Sequence, residues 1–279
     1  MSIRIISRSI WNNPGNRGQR LWRCCRAVAW QLDKRLLKKP RIITLPNGAR
    51  MWAHPDCVVS SALIYSEWPE FHELQFIRRR LKPDDAIVDV GANVGHVLLL
   101  LSDLVSPNRM IGFEPTPVTF GRLKENWALN GWTSGQLHQC AVGAEDGQLF
   151  IPDTPSPVTT NSLKSTRGDR EVAVDVKPLD AMGDWLGNGT VGLLKIDVEG
   201  FEPDVVRGAM VFLKSRRPRL IMFESLDGKL HPQIANCFSA ADYRVFQLDP
   251  TGQPDFVNLN AQNLFAMPNE IAGGIGKMV

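Results

Sequence analysis

The apolar residues of this chain fall into short continuous runs separated by stretches of helical period. "AIVDV" at 86–90 is followed by an apolar helical stretch over 94–105. "MIGFE" at 110–114 is followed by a helix over 117–130, with Phe120, Leu123 and Trp127 as its stripe and Asn130-Gly131 as its stop. "QLHQCAV" at 136–142 reads as the next strand. "QLFIPD" at 148–153 and "REVAVDV" at 170–176 predict paired strands around the polar loop "SPVTTNSLKSTRGD". "VGLLKID" at 191–197 leads to a helix with Pro203 in its first turn, Val205, Ala209 and Phe212 on one face, and Lys214, Arg216 and Arg217 at its negative end before Pro218. Strand "RLIMFE" (219–224), a helix over 231–241, and strands "YRVFQL" (243–248) and "NLFAMP" (263–268) close the series. Strands that are apolar throughout, alternating with helices, predict an α/β fold whose mostly parallel sheet is covered on both faces.

Upstream the pattern changes. "RLWRCCRAVAWQLDKRLLKK" predicts a basic helix ended by Pro40, with Leu21, Cys25, Val28, Leu32 and Leu36 at helical spacing; such stripes ordinarily meet a core. "IITLPNGARMWA" predicts a β-hairpin turning at Pro46-Asn47-Gly48, and "PEFHELQFIRRRL" a helix with Phe71, Leu74, Ile77 and Leu81 on one side. Three parts follow: a basic helical segment over 1–40, a β extension over 41–67, and a catalytic domain over 68–279.

Charge sharpens that division. Residues 1–40 hold ten Lys or Arg against the single acid Asp33, while the remainder has 22 bases and 28 acids, so a net charge of +3 hides a basic head on an acidic body. Bases confined to one segment do not line a body for nucleic acid, and no base-flipping motif is present. The alternative to a core-packed helix is a membrane surface met by residues 17–39, with Trp22 and Trp30 at the headgroup layer. Five cysteines without metal-ligand spacing suit a reducing compartment. No run approaches a membrane span, and no signal-peptide core opens the chain, so the expected location is the cytoplasm.

The candidate chemistry begins at "DVGANVGH", where a strand's carboxyl end meets a helix's amino end, the usual ligand position in an open parallel sheet. Gly91 permits close backbone approach, Asn93 tolerates a left-handed conformation, and Gly95 lets the helix start against the sheet. N–H groups at that helix start would receive an anion, either a dinucleotide pyrophosphate or the carboxylate of S-adenosylmethionine. The spacing is not GxGxxG; it reads DxGxNxG, with Asp89 inside the strand end, and Glu114 closes the second strand where an acid can accept both hydrogen bonds of a ribose diol.

"IVDVGANVGHVLLLL", "IGFEPTPVTFGRLKENWALNG", "CAVGAEDGQLFI", "VKPLDAM" and "LLKIDVEGFEPDVVRGA", in this order, resemble the FkbM-type methyltransferases over about residues 60–268. The resemblance implies a Rossmann-like class I S-adenosylmethionine-dependent methyltransferase acting on a hydroxyl of a sugar, polysaccharide or secondary metabolite. It also implies a seven-stranded, mostly parallel sheet with an antiparallel last strand, here preceded by the basic helix and β-hairpin. Carried onto this sequence, it makes Asp89, Gly91, Asn93 and Gly95 the cradle of the cofactor's methionine part and Glu114 the ribose acceptor. Ala141 and Val142 would lie along adenine. His96 stands where an aromatic or small residue is expected, and is equally an ordinary helix residue.

An alcohol is a poor nucleophile at neutral pH, so its methylation wants a base or a metal. Asp197, Glu199 and Glu224 close strands four and five, with Lys195 on the same strand face as Asp197. Asp197 and Glu199, at the family's "DVEG" positions, are the first choices for the base. Glu199 and Glu202 are alternatively acids that satisfy backbone N–H groups near a helix start. A divalent metal bridging the three acids is an alternative to a base, though no metal-ligand motif accompanies them and none is assigned. His231, before Pro232 at a helix start, is a weaker base candidate. The polar insert, with Asn161 and Ser162, is the expected substrate-side loop, suiting a small polar or saccharide acceptor. Two other readings compete. A nicotinamide-dependent oxidoreductase lacks GxGxxG and tyrosine chemistry here, and a non-catalytic cofactor-binding scaffold docked by the basic head would not need the acid cluster. The oligomeric state is not written in the sequence.

Overall fold

The computed structural model describes residues 3–152, 171–186, 189–225 and 227–275. The chain opens with α1 (Ile3–Asn12) and α2 (Arg20–Leu36), then the hairpin of β1 (Arg41–Thr44) and β2 (Arg50–Ala53), and then α3 (Val58–Tyr65) and α4 (Phe71–Arg78). The hairpin turns as its sequence requires: Gly48 sits at φ +89° and Leu45 N–H donates to Ala49 O. The extension expected as β over 41–67 therefore also contains a helix. "VVSSALIY" in α3 carries little amphipathic signal because it is buried on most sides, so it has no polar face to mark its period.

The sheet follows, built from β3 (Ala86–Val90), α5 (His96–Leu101), β4 (Met110–Phe113), α6 (Pro117–Leu129) and β5 (Gln136–His138). A side sheet comes next, β6 (Ala141–Val142), β7 (Gly147–Pro152) and β8 (Glu171–Lys177), in which β8 pairs parallel with β6 and antiparallel with β7. The chain returns through β9 (Val191–Ile196), α7 (Glu202–Arg207), α8 (Met210–Arg216), β10 (Ile221–Glu224) and α9 (Pro232–Ala240), and ends on β11 (Tyr243–Leu248), β12 (Pro254–Asp255), β13 (Asn263–Pro268) and α10 (Asn269–Ile275). The main sheet has the order β12-β11-β13-β10-β9-β3-β4-β5. β13 slots antiparallel between β10 and β11, so "NLFAMP" is the reversed last strand of the seven that were expected. The two-residue β12 adds a short eighth strand at the edge.

Three expectations change in detail. The strand expected over 136–142 divides: β4 ends at Phe113 opposite His138, and beyond that pair the chain leaves the main sheet to start the side sheet. The helix expected after Pro203 breaks into α7 and α8 around Gly208, where a Cβ would overlap the Gly143 carbonyl. The stripe of α2 is inverted. Ala27 and Trp30 are buried, while Leu21, Cys25, Val28, Leu32 and Leu36 face solvent. The helix does pack on the rest of the chain, but by its other face. There Trp30 donates its indole N–H to Ser61 Oγ at 3.0 Å, and Arg23 pairs with Glu67 at 3.3 Å.

Helices cover both faces of the sheet, α7, α8 and α9 on one and α4, α5 and α6 on the other. Outside α5 lies a further layer, in which Val94, Leu99 and Leu100 share a core with Ile10, Trp30, Met51 and Ile64. The same short helix meets the sheet through Val97, Leu98 and Leu101. "VLLLL" is apolar all round because it is buried all round. Leu99→Ala should remove a contact that joins the N-terminal layer to the catalytic half and lower stability by about 2–5 kcal/mol in urea denaturation. An unchanged midpoint would mean that the layer contributes nothing to the stability of α5.

Candidate functional site

At the carboxyl ends of β3, β4 and β9 the chain encloses a cavity of about 280 Å³. The loop that shapes it, Gly91 to Gly95, places three left-handed residues within five positions: Gly91 at φ +81°, Asn93 at +52° and Gly95 at +83°. The expected residues are the ones that bend, although two of the reasons differ. Gly91 is required because a Cβ there would overlap the Asp197 carbonyl of the neighbouring strand, a protein–protein approach. A Cβ on Gly95 would meet Leu123 of α6 at 2.5 Å, so this glycine admits a helix neighbour and not the sheet. The N–H groups of the loop itself, before the helix starts at His96, are taken up within the chain. Gly91 and Ala92 donate to Phe113 O, Asn93 to Glu114, Val94 to the Asn93 side chain and Gly95 to Ala92 O.

Glu114 is the clasp. Its Oε2 accepts Asn93 N–H at 3.1 Å and its Oε1 accepts Thr116 N–H at 2.9 Å. Burial raises its pKa, and those N–H groups work against the rise. The Thr116 side chain bonds the carboxylate as well, so three of its roughly four acceptor sites are taken from within the chain. Ala141 and Val142, with Phe113 and Cys140, form an apolar wall of the same cavity. Asp89, assigned by resemblance to the cofactor, is not in that lining. It is fully buried, with Oδ1 at 3.3 Å from Lys195 Nζ, so it supports the site from beneath.

The three acids do converge: Asp197, Glu199 and Glu224 each place an oxygen within 4.8 Å of the others. Lys195 Nζ lies 3.1 Å from Asp197 Oδ2. Burial alone would raise the Asp197 pKa, but Lys195 more than reverses this and holds Asp197 below the usual carboxylate range. Burial would likewise lower the Lys195 pKa, and Asp197 and Asp89 hold it high instead. Glu224 is pushed up to about 7, by burial first and then by Asp197 and Glu199, against a hydrogen bond from Gln262. Glu199 is also raised, by burial and by Asp197. The backbone-satisfying role falls to Glu202, which accepts N–H groups from Val198 and Gly200, and Glu199 stands at φ +54° on the cavity wall.

His96 lines the cavity too, and burial followed by nearby Lys195 lowers its pKa to about 4, so its ring is neutral at pH 7. His231 caps α9 by accepting Gln233 N–H on Nδ1. The loop with Asn161 and Ser162 lies outside the described residues. Sequence reasoning missed the N-terminal wall, Val58 and Val59 of α3, and above all Glu70. Glu70 sits left-handed at φ +48° at the mouth. Its carboxyl is pushed up to about 7 by burial and then by Asp197, with Lys195 opposing. In sequence it is one acid before a helix, which any helix start can show.

Residues 89–245, more than half of the chain, match the family model described as the methyltransferase FkbM domain. The chain belongs to the FkbM methyltransferase family. Among FkbM relatives, Methyltransferase 1 of Beauveria bassiana is 38% identical over 147 residues, which is 45% of this chain and 59% of that protein. The 31-O-demethyl-FK506 methyltransferase FkbM of Streptomyces tacrolimicus is 31% identical over 199 residues, covering 60% of this chain and 74% of that protein. The 2-O-methyltransferase NoeI of Sinorhizobium fredii is 25% identical over 213 residues, covering 71% and 83%. The chain thus spans less than two thirds of the Beauveria protein's length.

Lys195→Met should strand Asp89 and cost about 3–5 kcal/mol of stability at neutral pH, the penalty of breaking a buried pair from one side. Burial already raises the Asp89 pKa, and the variant removes the cation that restrains it. The folded state then binds this proton more tightly than the unfolded chain does. The loss should therefore shrink as pH falls through the folded-state pKa, and be fully relieved below the ordinary aspartate value. Urea titrations at several pH values measure it, and a pH-independent loss would show that the charge pairing is not the cause.

Proposed function

We propose that this protein is an S-adenosylmethionine-dependent O-methyltransferase whose acceptor is a hydroxyl of a saccharide or small secondary metabolite. The observation that carries the reading is the meeting, in one cavity, of the Glu114-clasped loop with Asp197 and Glu199 at the end of β9, while Glu224 lines the neighbouring pocket and reaches within 4.8 Å of both. The residues present fit the cofactor at its adenine and ribose ends. A flat apolar ring matches the wall of Phe113, Ala141 and Val142, and Glu114, in the same lining, has acceptor capacity left for a ribose hydroxyl. When bound, S-adenosylmethionine supplies an electrophilic methyl on a positively charged sulfur. The acids Asp197, Glu199 and Glu70 line the same space and favour positive charge there.

The electrostatics distribute the roles. A general base works best with a pKa near the operating pH, and Glu224 at about 7 meets that condition where the low pKa of Asp197 does not. Glu224 therefore takes the acceptor's proton as the hydroxyl oxygen attacks the methyl carbon and the sulfur leaves, and Asp197, kept ionised by Lys195, raises Glu224's affinity for that proton. This ordering differs from the Asp197-first expectation, because proximity to Lys195 makes Asp197 the weaker base. Lys195 gives Asp197 a counter-charge, and the reading here is a base, although Asp197, Glu199 and Glu224 also come close enough to hold a divalent cation. The relatives named above include enzymes whose names specify O-methylation.

Calorimetry should find binding of S-adenosylhomocysteine and none of NAD, and Glu114→Ala should weaken the former by about 1–3 kcal/mol. Tight NAD binding, or an unaltered affinity in the variant, would remove the cofactor assignment. For the chemistry, release of S-adenosylhomocysteine is followed with a panel of saccharide and polyol acceptors. Glu224→Gln should slow turnover by about 10²–10⁴-fold with cofactor affinity nearly intact. In the unmodified protein kcat/KM should rise with pH up to about 7 and then level, because the base works only once deprotonated. Glu224→Gln should lose that limb, and chelation of divalent cations should leave turnover unchanged. A fully active Glu224→Gln would pass the role to another group, with Glu199 and Glu70 the next variants.

A further inference from the structure

The face of α2 that the core does not use has its own chemistry. Leu21 and Leu36 are 76% exposed, and Val28 and Leu32 are more than half exposed. Their spacing of seven, four and four residues sets them in one row along the 17-residue helix. Exposed Trp22 and Trp11 flank the row. Beside it a groove between α1 and α2, about 260 Å³ and floored by Ile6, Ile10 and Ala27, widens the apolar surface.

Cations surround this surface. Arg26 lies 4.6 Å over the Trp22 ring and Arg20 lies 5.2 Å over Trp11, while Arg35, Lys38 and Lys39 are exposed at the helix's carboxyl end. Asp33, the lone acid of residues 1–40, is taken by Arg41 at 2.7 Å. A second copy of the chain would bring two such cationic faces together with no acid to offset them. A nucleic acid would leave the aliphatic row in water. An anionic bilayer satisfies both halves at once: aliphatic side chains enter the acyl boundary, indoles sit at headgroup level, and long cationic side chains reach the phosphates. Among the described residues no helix is long and apolar enough to cross a membrane, so contact would be in the plane of the surface.

We propose that the outward face of α2, with the groove beside α1, docks this protein in-plane on an anionic lipid surface. The usual amphipathic membrane helix sets its polar side to water. Here the protein's own core takes that side through Arg23, Ala27 and Trp30, and the apolar side is left to the lipid.

Sedimentation with vesicles of phosphatidylcholine, with and without phosphatidylglycerol, tests this on the full chain. The expected result is binding to the anionic vesicles at low salt, little to the neutral ones, and a steep decline as salt rises. Leu32→Gln/Leu36→Gln alters only exposed side chains, so its melting temperature should match that of the unmodified protein, and its binding should fall at least about tenfold. Arg35→Gln/Lys38→Gln should weaken binding about tenfold or more at low salt and flatten the salt dependence. Failure of the full chain to sediment with anionic vesicles at low salt overturns the proposal. So does equal binding by a folded Leu32→Gln/Leu36→Gln protein, which would leave only a polybasic attraction. A dimer that the leucine substitutions split, with vesicle binding unaffected, would assign the face to a second copy and equally overturn it.

Discussion

Lys195 is the group on which the site depends. It is buried on the central strand β9, opposite Asp89 on β3 in the parallel register, with Asp197 two residues further along its own strand. A buried ion pair is weak evidence for stability, because desolvation cancels much of the attraction. Its effect here is to assign charge. One cation neutralises the acid beneath the site, fixes Asp197 as an anion, and so leaves the next carboxylate, Glu224, facing a negative neighbour. The two central strand ends, one feeding the glycine loop and the other feeding the acids, are thereby joined by electrostatics as well as by backbone hydrogen bonds.

From that constraint the acids separate into kinds. Glu202 and Glu114 are occupied with backbone N–H groups and give the two loops their shape. Asp197 is charged and fixed. Glu70 on the cavity wall and Glu224 in the neighbouring pocket are both pushed up to about 7, by burial first and then by the charge of Asp197. Sequence spacing treats these acids alike, and only their distances from Lys195 distinguish them.

What the sequence made legible was what local patterning controls. The continuously apolar strands, the reversed "NLFAMP" strand, the bends at Gly91, Asn93 and Gly95, and the meeting of Asp197, Glu199 and Glu224 all follow from short segments whose period or conformational demand is written in them. The errors lie where distant segments meet. The Leu21–Leu36 row looked like a core face because periodicity reports that a face is apolar and not what covers it. Gly208, where the expected helix divides, meets Gly143 more than sixty residues upstream, and Glu70 entered the cavity because the N-terminal layer folds over α5. Asp89 resembled a ligand contact because it belongs to the same motif as residues that do line the cavity.

That N-terminal layer also decides where this domain can be cut. The match to the family model begins at residue 89, on the strand just before α5, and α5 is packed on two sides. A chain started there would keep every carboxylate of the sheet's rim and lose the partner of Val94, Leu99 and Leu100, leaving an oily strip beside the cofactor loop. The edge of the family match and the edge of the packed core therefore fall at different places in this protein.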